Sequence, residues 1–146
     1  MFIGEGPGKS EDIVGKAFVG PSGRLLLAAL PENITKNKIL YFTNTIACRA
    51  CDEKNGPTRQ PEQSEMEACS ERVLLTVELG QPKGIIILGM VAKLQLDKIK
   101  LYEKYKTIYL PHPSSILKKG GINSRAWDMY CAKLKAFIMT VFPGEN

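Results

Sequence analysis

One stretch constrains this chain more than any other. It runs from Gly4 to Gly23: Gly4-Glu5-Gly6-Pro7-Gly8-Lys9-Ser10-Glu11-Asp12, then Lys16-Ala17-Phe18-Val19-Gly20-Pro21-Ser22-Gly23. Met1, Phe2 and Ile3 precede it as the tail of an apolar strand, and Arg24 to Leu30 follow it as a helical run. Strand, glycine-rich loop and helix in that order aim backbone N–H groups and a helix N-terminus at an anion. The glycines let a ligand approach the main chain and permit dihedrals that a Cβ would forbid. Glu5 plants one carboxylate where the loop begins. On the loop alone, a tight βα connection with an exposed acid is an equally good reading.

The rest of the chain continues the alternation. Ile39 to Ile46 reads as a buried strand, rich in aromatic and β-branched residues. Cys48 to Pro61 is polar and rich in Gly, Pro and charge, a loop long enough to suggest a function. Pro61-Glu62 opens a helix to Leu79, with Met66, Cys69, Val73 and Val77 at helical spacing and Gly80 as its stop. Gly84 to Leu88 is an apolar strand of the kind covered on both faces, and Gly89 to Leu94 begins a short helix. Thr107 to Leu110 is a fourth strand, running straight into Pro111-His112-Pro113-Ser114-Ser115. A last helix spans Arg125 to Val141, with an apolar stripe from Trp127 through Tyr130, Cys131 and Leu134 to Val141.

This pattern predicts an α/β fold over residues 1–146: a three-layer α/β/α sandwich around a central four-stranded parallel sheet. In such sheets ligands bind beyond the carboxyl ends of the strands. Glu5, Asn44 and His112 all fall at such ends. Composition narrows the partners. The chain has 146 residues and a formal net charge of +5, which favours a polyanion. No apolar run approaches a membrane span, and no secretory layout opens the chain. The four cysteines are then expected as free thiols or metal ligands in a reducing cytoplasm.

Read together, the motifs resemble the uracil-DNA glycosylase superfamily, and most closely its iron–sulfur branch, family four. The first motif is Gly4-Glu5-Gly6-Pro7-Gly8 with Glu11-Asp12 and Gly15 to Gly23. Thr43-Asn44 then leads to Cys48-Arg49, Arg59-Gln60-Pro61 and Cys69. Pro82-Lys83 leads through an apolar strand to Leu88-Gly89 and Ala92. His112-Pro113-Ser114 looks like the second catalytic motif, followed by Trp127-Asp128. The likeness covers nearly the whole chain. It departs at Ala50, where the family has proline, and in a longer interval between Cys48 and Cys69 that contains Cys51.

The resemblance implies an enzyme that hydrolyses the N-glycosidic bond of flipped-out uracil in DNA, single-stranded or duplex, and leaves an abasic site. A monomer is expected. His112 and Glu5 are implied as catalytic, with Gly6, Phe18 and Asn44 around the base. An asparagine amide, one end donor and the other acceptor, matches the edge of uracil. Water is left to Glu5 or to the amides of Gly6 and Gly8. Gly8, Ser22, Ser114, Lys118 and Lys119 are implied for the phosphates, and Ile116 or Leu117 for an apolar wedge. Cys48 and Cys69, with Cys51 as a third, are the candidates for a 4Fe–4S cluster, and zinc at the same three is the alternative. The branch's two upstream cluster cysteines lie outside this sequence, so the expectation is an N-terminally short member whose chemistry requires no cofactor. The competing reading is a glycosylase-fold module that binds DNA without releasing a base. A phosphometabolite enzyme is weaker still, since the first loop lacks the lysine-plus-hydroxyl ending of a P-loop.

Overall fold

The computed structural model describes residues 1–144. Four strands, β1 (Phe2–Gly4), β2 (Phe42–Asn44), β3 (Ile85–Leu88) and β4 (Thr107–Leu110), form one parallel sheet in the order β2-β1-β3-β4. Register pairs Gly4 with Asn44 across β1 and β2, and Leu88 with Leu110 across β3 and β4. The chain order reverses direction across the sheet between β1 and β3, the point at which such folds open a crevice.

Period-two alternation explains the layers. Phe2, Ile86, Leu88 and Leu110 face one side. There they meet α2 (Pro21–Ala28), α3 (Glu32–Asn37), α6 (Pro113–Lys118) and α7 (Arg125–Val141) through Leu26, Ile34, Ile116 and Leu134. Ile3, Ile85 and Ile87 face the other side. That side is closed by α4 (Gln63–Gly80) and α5 (Met90–Lys98) through Val73, Val77, Ala92 and Leu96. All of β3 is buried, as its unbroken Ile-Ile-Ile-Leu run requires. The three-layer α/β/α sandwich read from the sequence is the fold observed.

The departures are local. β2 is shorter than the Ile39–Ile46 run, because it is an edge strand paired only with β1 and Ile39 is 82% exposed. Thr45 and Ile46 still donate to the carbonyls of Gly4 and Glu5 at 2.8 and 3.1 Å, so the segment stays alongside β1 beyond the strand. α2 begins at Pro21 rather than at Arg24, with proline in the first turn where its missing N–H costs nothing. α4 starts at a capping box between Glu62 and Glu65. Three six-residue helices were not expected: α1 (Lys9–Val14) inside the glycine loop, α3 after Pro31, and α6 directly after His112.

Candidate active site

The carboxyl ends of the strands enclose a cleft of about 280 Å³. Glu5, Gly6, Gly8, Phe18, Ser22, Asn44, His112 and Ser114 all line it. The cleft thus gathers residues from the loop after β1, the turn before α2, the end of β2 and the start of α6.

The floor is set by a glycine. A Cβ on Gly4 would lie 2.7 Å from Asn44 Oδ1 and 2.8 Å from Phe18 Cζ. The amide and the tip of the ring therefore meet over one Cα, and only a residue without a side chain leaves them that space. Asn44 is 8% exposed. Its carbonyl accepts from Arg72 Nη2 at 2.6 Å, while its side-chain amide has no protein partner among the described residues. Phe18 holds a left-handed φ of 58°, a conformation that a bulky residue adopts only when its surroundings impose it. Gly23 is part of that imposition, since a Cβ there would sit 1.9 Å from the Phe18 carbonyl oxygen.

His112 caps α6. The Ser114 N–H donates to His112 Nδ1 at 3.2 Å, and Ser114 Oγ lies 2.8 Å from the same nitrogen. An Nδ1 that accepts a backbone N–H carries no proton, so the neutral ring carries it on Nε2. Burial lowers the imidazole pKa below its ordinary value, and the charge of Glu11 opposes that shift. The neutral form is favoured, with an N–H that has no protein partner among the described residues. Behind the ring stands Gly89 at φ 92°, whose Cβ would come within 3.2 Å of the His112 Cβ.

Glu5 is half-buried, and burial raises its carboxyl pKa. Its backbone is fixed, with its carbonyl accepting from Thr45 Oγ at 2.7 Å. Its carboxylate has no ion-pair partner among the described residues. The cleft therefore holds a carboxylate, a side-chain amide and the Nε2–H of an imidazole that have no protein partner among the described residues.

Other expected residues lie elsewhere. Leu117, Lys118 and Lys119 are exposed at the end of α6 rather than in the cleft, and Ile116 is core, which leaves Leu117 as the exposed apolar side chain there. Cys48 is exposed, and Cys51 and Cys69 are partly buried. Among the described residues no three His, Cys, Asp or Glu side chains are gathered so as to hold a metal ion. The fourth thiol, Cys131, packs with the core on the α7 side of the sheet. Cys69 belongs to α4, whose buried residues fill the opposite side. The four described cysteines are therefore not gathered into one four-thiolate set, because Cys131 lies across the sheet from the helix that carries Cys69.

Sequence reasoning missed Pro7, Glu11, Gly23 and Thr58, which also line the cleft. Glu11 was visible only as part of a motif. Thr58 is delivered by a long loop folded around Arg49, a 7% exposed arginine that donates to the carbonyls of Gly56 and Lys54 at 3.0 and 2.7 Å. An arginine at the head of a polar run that contains Gly56, Pro57 and Pro61 was the available signal.

Comparison with known proteins gives the family. Residues 1–135 match the family described as the Uracil DNA glycosylase superfamily. The Type-4 uracil-DNA glycosylase of Saccharolobus solfataricus is 40% identical over 140 residues, covering 94% of this chain and 57% of that protein. That of Archaeoglobus fulgidus is 30% identical over 136 residues, 80% of this chain and 66% of its own. That of Thermotoga maritima is 38% identical over 92 residues, 63% and 45% respectively. The chain spans between about half and two thirds of the length of these relatives. With that match over nearly its whole length, the chain belongs to the uracil-DNA glycosylase superfamily, on the side of its type-4 members.

Proposed function

We propose that this protein excises uracil from DNA by hydrolysing the N-glycosidic bond, leaving an abasic site. The observation that supports this most is the convergence of Asn44, Phe18, Glu5 and the Nε2–H of His112 on one cleft. A base extruded from the stack enters it and lies against Phe18. The Asn44 amide offers a donor and an acceptor to the 4-carbonyl and N3–H of uracil. Thymine and uracil share that edge, so the Asn44 amide alone does not distinguish them.

As the C1′–N1 bond stretches, negative charge builds on the uracil O2 and the sugar becomes an oxocarbenium ion. A neutral imidazole donating from Nε2 to O2 stabilises the departing anion, a contribution of about 3–4 kcal/mol for one well-placed donor. Glu5 offsets the positive sugar and takes the proton of the water that adds to C1′. A carboxyl whose pKa burial has raised is a better base than an exposed one. Ser22, Ser114 and the amides of Gly6 and Gly8 bind the flanking phosphates, with Lys118 and Lys119 adding affinity along the strand. Leu117 fills the gap left by the base.

The test is incubation with a uracil-containing single strand and a U·G duplex, with and without alkali. The expected result is strand cleavage only after alkali, and its loss in a His112→Ala, Glu5→Ala double variant. Equal product from wild type and double variant would sink the proposal. Salt-dependent DNA binding without base release would point to a binding module instead.

A further inference from the structure

We propose that Glu11 is a positioning residue of the cleft: its carboxylate latches the turn that carries Phe18 to the loop that follows β1. The inference rests on the reading of Phe18 as the wall against which the base stacks. Glu11 Oε1 accepts from the Gly20 N–H at 2.6 Å. A Cβ on Gly8 would lie 2.8 Å from Glu11 Oε2, and one on Gly20 would lie 3.0 Å from Oε1. The carboxylate is thus wedged between glycines of two different loops, one on each side of Phe18 in the chain's path.

That wedge accounts for a strained residue. Phe18 at φ 58° is in a region that bulky residues leave unless held, and its ring is held in the core against Phe42, with centroids 5.7 Å apart. Gly23 holds it from one flank through the carbonyl, and the Glu11–Gly20 bond holds the segment between. The short helix α1 is what places the acid: the Asp12 N–H donates to Gly8 O at 2.9 Å and the Gly15 N–H to Glu11 O at 2.8 Å. Held in this way, the ring reaches Gly4 beside the Asn44 amide. The same carboxylate lines the cleft with Glu5 and His112, the other titratable groups there, and its charge acts on the imidazole. One side chain therefore ties the stacking wall to the leaving-group donor.

Two substitutions separate latch from scaffold. Glu11→Gln keeps an acceptor for the Gly20 N–H and loses the charge, whereas Glu11→Ala loses both. Free-uracil affinity by calorimetry, steady-state kinetics on a uracil-containing single strand and thermal melting are measured for both, beside Phe18→Ala. Glu11→Ala is expected to weaken uracil binding and raise KM by about tenfold or more, the loss of one hydrogen bond to a charged acceptor. Glu11→Gln is expected to recover binding to within about threefold, because the acceptor is restored. It also moves the acid limb of the rate to lower pH, because no neighbouring anion then favours protonation of His112. Wild-type uracil binding by Glu11→Ala, with Phe18→Ala impaired, overturns the latch and leaves the proposed function standing. A Gln variant as impaired as the Ala variant, with its acid limb unmoved, overturns it too. Wild-type binding by Phe18→Ala overturns the stacking wall itself, and the latch with it.

Discussion

Two hollows lie at opposite ends of the same sheet. The one at the amino ends is the larger, about 380 Å³ against about 280 Å³. It is bounded by Phe2, Ile34, Ile86, Phe137 and Phe142, with Lys38 and Lys83 over the Phe142 ring at 5.1 and 5.4 Å. The smaller one, at the carboxyl ends, holds an amide, a carboxylate and an imidazole with atoms left unbonded among the described residues. Size and apolarity follow from where helices fail to meet. Chemistry follows from desolvated polar groups kept without protein partners, which cost stability and are retained where a ligand completes them.

The contrast breaks first at His112. His112→Ala is expected to lower kcat by about 10²–10³, the usual cost of removing one anion-stabilising donor. Ile138→Ala, at the amino end, should instead cost about 2–5 kcal/mol of stability by opening a cavity, with kcat unchanged. Single-turnover uracil release and denaturant unfolding on both variants check the pair.

A matched pair of glycines sharpens it. Gly4→Ala pushes a methyl into Asn44 and Phe18, so kcat/KM should fall by about tenfold or more, as for an overpacked site costing about 1–3 kcal/mol. Gly84→Ala pushes one to within 2.7 Å of Val141 Cγ2 at the other end, and should lower Tm while sparing kcat/KM.

The pH dependence follows from two burial shifts. The neutral imidazole and the ionised Glu5 coexist across neutral pH, so kcat/KM should be level there and fall on the acid side as either gains a proton. Stability has opposite signs at the two groups. Below about pH 6.5 an unfolded histidine binds a proton that folded His112 resists, so stability falls as pH falls. Above about pH 4.5 an unfolded glutamate ionises while folded Glu5 resists, so the folded state is penalised as pH rises. Glu5→Gln should therefore raise Tm at neutral pH while lowering activity, the gain shrinking below pH 4.5. The smallest effect is ionic. Removing Lys118 or Lys119 should each reduce the slope of log affinity against log salt on single strands by about 0.7. Removing Lys38 or Lys83 should leave that slope unchanged.

The sequence made the same distinction only in part. The β3 run and the alternation with helices were legible because burial on both faces leaves no polar interruptions. Glu5, Asn44 and His112 were legible because each ends a strand or follows one within two residues. The choice between Ile116 and Leu117 was not, since a six-residue helix is too short for a period to declare which side faces in. Nor was Thr58, whose arrival in the cleft depends on Arg49 folding a loop back upon itself. The spacing of Cys48 and Cys51 looked like a ligand pair, yet spacing does not show whether Cys69 comes near them, whereas the place of Cys131 on the apolar stripe of α7 was legible and it packs with the core. The tautomer of His112 was set by one backbone N–H, two residues on, that only coordinates reveal.

The most direct measurement is free uracil released per abasic site formed on a uracil-containing single strand, for wild type and His112→Ala. Equimolar uracil and alkali-labile sites from the wild type, with release collapsing in the variant, is the expected result. Tight, salt-sensitive DNA binding by both proteins with no uracil released by either would contradict the account.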